Sequence, residues 1–140
     1  MAVTQINVAA SGGGDIPCIA DFPEGSPGTG VVVVPSIFGV DDDMAMVAER
    51  LAGQGYAAVV LDPFWRDEDF GVIGHDEEGR NRAFARLDRT PFEQAFGDVT
   101  DVIEDLRSRA ECNGKIAVMG FCYGGHLACW ASTIEPQIAC

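Results

Sequence analysis

Residues 31–34 are four valines in a row. A strand with one wet face alternates apolar and polar side chains, whereas an unbroken β-branched run marks a strand buried on both faces of a parallel sheet. Parallel neighbours need crossover connections, normally helices, so this run predicts a central strand with helices packed on both sides of its sheet. Tyr56 to Leu61 and Lys115 to Met119 read as two further buried strands, the second entered through the Asn113-Gly114 turn. Helical stretches separate these strands. Over 42–54, Met44, Met46, Val47 and Leu51 recur near helical spacing behind Asp41 to Asp43, and a second helix begins at Glu77-Glu78. A third, over 91–109, aligns Phe92, Ala95, Phe96, Val99, Val102, Ile103 and Leu106 on one face. Near the N-terminus, alternation over 4–8, the turn cluster at 11–15 and the apolar run Ile16 to Phe22 predict an antiparallel hairpin at a sheet edge. Residues 23–30 read as loop, as do 62–76, with exposed aromatics such as Trp65. The class is α/β, a mostly parallel sheet with flanking helices.

A chain of 140 residues, 47% hydrophobic and 22% charged, is expected to form a single domain over 1–140. Its 22 acidic and 9 basic residues give a formal net charge of -13, which repels nucleic acid and anionic membrane surfaces as partners. The same field repels an anionic small molecule unless arginines rebuild a positive pocket locally. The first residues lack a basic segment followed by an apolar one, and no apolar run reaches the length of a membrane span, which predicts a cytoplasmic protein. Cys18, Cys112, Cys122, Cys129 and Cys140 are odd in number and lack paired spacing, so all five are expected as thiols and no metal or other cofactor is implied. Oligomeric state leaves no mark in the composition.

The chemistry concentrates at Gly120-Phe121-Cys122-Tyr123-Gly124-Gly125, between the third buried strand and a helix reaching about Thr133. Small residues two before and two after a central nucleophile let a strand turn sharply into a helix, which is the context of a nucleophile elbow with Cys in place of Ser. Unpaired amides at the start of that helix favour the thiolate. The bland alternatives for Cys122 are a glycine-rich phosphate loop or a plain helix start. After the valine run comes Pro35-Ser36-Ile37-Phe38-Gly39, the loop that donates one oxyanion-hole amide when the residue after the nucleophile donates the other. Ile37 and Tyr123 are therefore the candidate backbone donors, with core packing the alternative for Ile37 and Phe38.

The segments VVVVPSIFGV, LAGQGYAAVVLDPF and NGKIAVMGFCYGG together resemble the dienelactone hydrolase family of the α/β-hydrolase fold, in order and spacing, from about Val31 onward. The resemblance implies a cysteine hydrolase that opens small esters or lactones through an acyl-enzyme, with Cys122 as nucleophile and Ile37 and Tyr123 as oxyanion donors. It implies that Arg80 grips a substrate carboxylate, with Arg82 the weaker match and a solvated helix face the alternative for both. Ser36 and Phe38 fall among the substrate contacts. Ser36 stands where the enzyme that gives the family its name has a glutamate, and a hydroxyl cannot serve there as a base, so the resemblance points to an ester or lactone other than dienelactone.

In this fold the triad acid and histidine follow the nucleophile, yet eighteen residues follow Cys122 in a chain of 140. Ile138-Ala139-Cys140 reads as the opening of another strand, so the chain is expected to be the N-terminal portion of the fold, incomplete after the nucleophile helix. His126 lies one helical turn behind Cys122, which suits packing better than catalysis, and His75 lies upstream in a loop. The rival readings are a non-catalytic or inactive α/β fragment, and a redox thiol protein, the latter disfavoured because no resolving cysteine sits at CxxC spacing.

Overall fold

The computed structural model describes residues 3–134 and 138. In chain order the elements are β1 (Thr4–Ala9), β2 (Asp15–Asp21), β3 (Gly28–Val34), α1 (Asp42–Gly53), β4 (Ala57–Leu61), α2 (Glu77–Asp88), α3 (Phe92–Ser108), β5 (Cys112–Gly120) and α4 (Tyr123–Ile134). The five strands form one mixed sheet in the order β1-β2-β4-β3-β5. β3 pairs in parallel with β4 and β5, while β2 runs antiparallel to both β1 and β4. The hairpin expected at the N-terminus is thus present at one edge.

The valine run divides between two layers. Val31 and Val33 pack with Met44 and Ala48 of α1, and Val32 and Val34 pack with Ala95, Val99, Val102 and Leu106 of α3 and Leu127 of α4. All four valines are buried, each worth about 2 kcal/mol of apolar transfer. Asp41 caps α1, its carboxylate accepting from the Met44 N–H at 3.2 Å, and Asp76 caps α2 by accepting from the Gly79 N–H at 2.7 Å.

Two expectations need correction. β3 begins at Gly28 rather than at Val31, because Gly28 and Gly30 pair with Cys112 and Ile116 of β5 although their own sequence carries no strand pattern. Trp65 is half-buried rather than exposed, because its indole N–H donates to Asp98 of α3 at 3.0 Å. Ile138 makes a parallel bridge to Ile116 beside β5, where a further strand was expected, while Ala139 and Cys140 lie outside the described residues.

Candidate active site

The parallel strands β3, β4 and β5 end at Val34, Leu61 and Gly120, so the segments 35–41, 62–76 and 121–122 emerge on the same side of the sheet. Ligands of open α/β sheets bind outside these carboxyl ends, where neighbouring strands send their connections in opposite directions. β3 is that strand here, with β4 on one side and β5 on the other.

Cys122 occupies the tip between β5 and α4. Its φ of 56° makes it the one non-glycine residue with positive φ among the described residues, a conformation that costs roughly 1–3 kcal/mol and persists only where the surroundings enforce it. The surroundings are backbone. The Phe121 N–H donates to the Val34 carbonyl at 3.0 Å, and a Cβ at Gly124 would collide with that same carbonyl, while one at Gly120 would collide with the Gly124 carbonyl. The Cys122 thiol is exposed and free. Of the other cysteines described, Cys18 and Cys112 are buried and Cys129 is exposed, all free; burial pushes the Cys18 thiol up to about 12, out of reach of thiolate chemistry.

Across from the elbow, the 35–39 segment closes a tight turn in which the Gly39 N–H donates to the Ser36 carbonyl at 3.2 Å. The Ser36 hydroxyl, half-buried, accepts from the Phe38 N–H at 3.3 Å, and the Phe38 carbonyl accepts from the Ile73 N–H at 3.0 Å. Neither the Ile37 nor the Tyr123 backbone N–H donates to another described residue. Their side chains share one small core with Phe64, Ile73 and Ala83, so packing and a free amide coexist at both positions. The Tyr123 ring lies 5.8 Å from that of Phe64; its hydroxyl is buried without a partner among the described residues, and burial raises its pKa.

Five arginines lie between positions 66 and 89. Arg66 forks onto Asp98 at 2.7 and 2.9 Å, Arg82 onto Asp69 at 2.6 and 3.0 Å, and Arg89 onto Asp67 at 2.7 and 2.9 Å. Arg86, which the sequence reading passed over, is fully buried; its two terminal nitrogens donate to backbone carbonyls, and its Nε is buried without a partner among the described residues. That leaves Arg80 exposed and without an ion pair or side-chain hydrogen bond among the described residues. The two histidines lie apart. His126 is exposed on α4 with its ring 5.1 Å from Phe92 of α3, and His75 stacks on Phe38 at 4.0 Å with Nε2 3.8 Å from the Asp41 carboxylate. Among the described residues no group of three His, Cys, Asp or Glu side chains is arranged to hold a metal ion, and no helix is long and apolar enough to cross a membrane.

The chain is 30% identical over 129 residues to the carboxymethylenebutenolidase of Pseudomonas sp. (strain P51), covering 91% of this chain and 54% of that protein. It is likewise 30% identical to the carboxymethylenebutenolidase of Pseudomonas putida, covering 55% of it. The chain thus spans about half the length of these relatives. Among solved structures, a putative dienelactone hydrolase from Klebsiella pneumoniae superposes with a TM-score of 0.80 at 23% identity, over 99% of this chain and 57% of that one, a likeness of fold. The model of the dienelactone hydrolase family matches residues 16–139, and with the α/β-hydrolase sheet and the strained cysteine turn in place, the chain belongs to that family.

Proposed function

We propose that this chain carries the nucleophile side of a hydrolase for small carboxylic esters or lactones, with Cys122 forming the acyl-enzyme. The observation that carries the reading is the positive φ of Cys122, held by glycine-backbone contacts at the carboxyl end of the sheet, with the thiol exposed. Attack by the Cys122 thiolate forms an S–C bond to the substrate carbonyl and moves the carbonyl electron pair onto oxygen. The Ile37 and Tyr123 N–H groups, unspent within the fold, are the donors for that oxyanion, each worth roughly 3–4 kcal/mol in the transition state. Collapse restores the carbonyl and expels the alkoxide, which takes up a proton; in a lactone the resulting alcohol stays tethered to the acyl group. Water then cleaves the thioester, releasing the acid and the thiol. Arg80 suits a carboxylate on the substrate, because the neighbouring guanidinium groups are already engaged. Ser36 and Phe38 border the acyl site.

Mixing the 140-residue chain with p-nitrophenyl acetate is expected to release close to one equivalent of nitrophenol and add one acetyl group at Cys122, followed by little turnover. Neither histidine is placed as a base: His126 is held against α3, and His75 lies flat on Phe38 facing Asp41. Cys122→Ala should abolish both signals, and an unchanged burst in that variant overturns the assignment. Sustained turnover would mean that His75 or His126 completes the site. Arg80→Ala should slow acylation by a carboxylate-bearing ester about tenfold and leave p-nitrophenyl acetate unaffected.

A further inference from the structure

Arg86 is fully buried on α2, in phase with the buried positions Gly79 and Ala83. One terminal nitrogen donates to the Asp69 and Gly71 carbonyls at 2.9 and 2.7 Å, and the other donates to the Ile37 carbonyl at 2.6 Å. Its guanidinium carbon sits 4.3 Å from the Phe64 ring centroid, and Phe64 in turn packs on Tyr123. A single cation therefore touches the backbone of one candidate oxyanion donor directly and the side chain of the other through one ring. Burial without a carboxylate in direct contact is costly for a guanidinium, and burial accordingly lowers the Arg86 pKa, with Asp62 the foremost opposing charge. A role confined to filling space would be served by an apolar side chain at less expense.

The 35–39 turn shows what the cation secures. The Ile37 and Phe38 carbonyls are fixed from outside the turn by Arg86 and by the Ile73 N–H, and the Phe38 and Gly39 N–H groups are fixed from inside it by Ser36. Gly39 has φ 93°, and a Cβ there would collide with the Gly71 carbonyl that Arg86 also holds. With these groups spoken for, the Ile37 N–H is left without a partner among the described residues, as is the Ser36 N–H that precedes it. We propose that Arg86 is the positioning residue of the oxyanion hole: it clamps the Ile37 carbonyl, and with it the turn that presents the Ile37 N–H toward Cys122. The proposal rests on the assignment of Cys122 and Ile37 above.

Two reagents separate this role from a general one. Acylation of Cys122 by p-nitrophenyl acetate passes through an oxyanion, whereas alkylation by iodoacetamide is a displacement at a saturated carbon and needs no oxyanion donor. In Arg86→Met, the burst rate constant is expected to fall on the order of 100-fold, the effect of losing one oxyanion donor. Its half-saturating ester concentration and the rate of Cys122 alkylation should stay within about twofold of the parent. Arg86→Lys keeps a cation and can reach one carbonyl, so it should recover much of the burst rate. If the methionine variant fails to fold, as near-ultraviolet circular dichroism would show, the lysine variant carries the test through a selective loss of acylation of at least threefold. Unchanged acylation, or acylation and alkylation falling together, overturns the proposal. Parent protein in which neither reagent modifies Cys122 overturns the nucleophile assignment instead.

Discussion

At the scale of single residues, the elbow depends on missing atoms. The carbonyls that a methyl group at position 124 or 120 would strike belong to β3 and α4, and backbone cannot rotate aside as a side chain can. Gly124→Ala is therefore expected to cost about 3 kcal/mol, at the upper end of overpacking penalties, read as a lower urea midpoint at unchanged slope, and to slow Cys122 acylation. A parent-like midpoint would mean that α4 can slide off the Val34 carbonyl without cost. The sharp turn at Cys122 was legible in the sequence because a strand that passes straight into a helix needs small residues at fixed offsets, a local requirement. Arg86 and Asp98 were not read, because their meaning lies in partners on other elements: Asp98 collects Arg66 and the Trp65 indole from more than thirty positions away. Both do carry a signal, being polar residues in phase with a buried stripe, Asp98 with Ala95 and Val102, and Arg86 with Ala83.

At the scale of elements, the 62–76 segment is long for a loop, and what orders it is a set of forks from the helices that follow. Arg82 of α2 and Arg89, the residue capping its C-terminus, hold Asp69 and Asp67, and their hydrogen bonds keep both carboxyls below the ordinary range. A carboxylate whose folded pKa is lowered binds fewer protons folded than unfolded. It contributes stability above the unfolded value, near 3.9, and loses that contribution as pH falls through the folded value. Asp62, which burial raises, works in the opposite sense and resists acid. The segment should therefore loosen as pH falls below about 4, seen as a change in Trp65 emission, and the double variant Asp67→Asn, Asp69→Asn should show a smaller acid-induced change. An identical acid response in that variant would show that the forks do not hold the segment. Helices and buried strands were legible from their periods, including the edge hairpin. The start of β3 was not, because the register of Gly28 and Gly30 comes from β5, some eighty residues further on.

At the scale of the whole molecule, β5 ends the sheet on the side opposite the hairpin, with one described bridge beyond it, from Ile116 to Ile138. Met119 of β5, Phe121 just after it, and Trp130 and Ile134 of α4 are 39%, 37%, 48% and 53% exposed, large apolar side chains in a molecule whose β5 edge has one bridge among the described residues. The 140-residue chain is expected to self-associate through this edge, more strongly as salt screens its net charge of -13. Sedimentation velocity on Met119→Lys should show a shift toward monomer, since an edge lysine disfavours strand pairing; association unaltered by that change would place the contact elsewhere. The strand order has a further consequence, one of time. Val34 and Cys112 belong to neighbouring strands but are 78 positions apart, 112 less 34, with three helices and β4 between them. A ribosome adding roughly 5–20 residues per second takes on the order of ten seconds to cross that gap. For that interval β3, with its four consecutive valines, has an open side and Cys122 has not yet been made, so the nascent chain is most exposed to mispairing just before the strained turn exists.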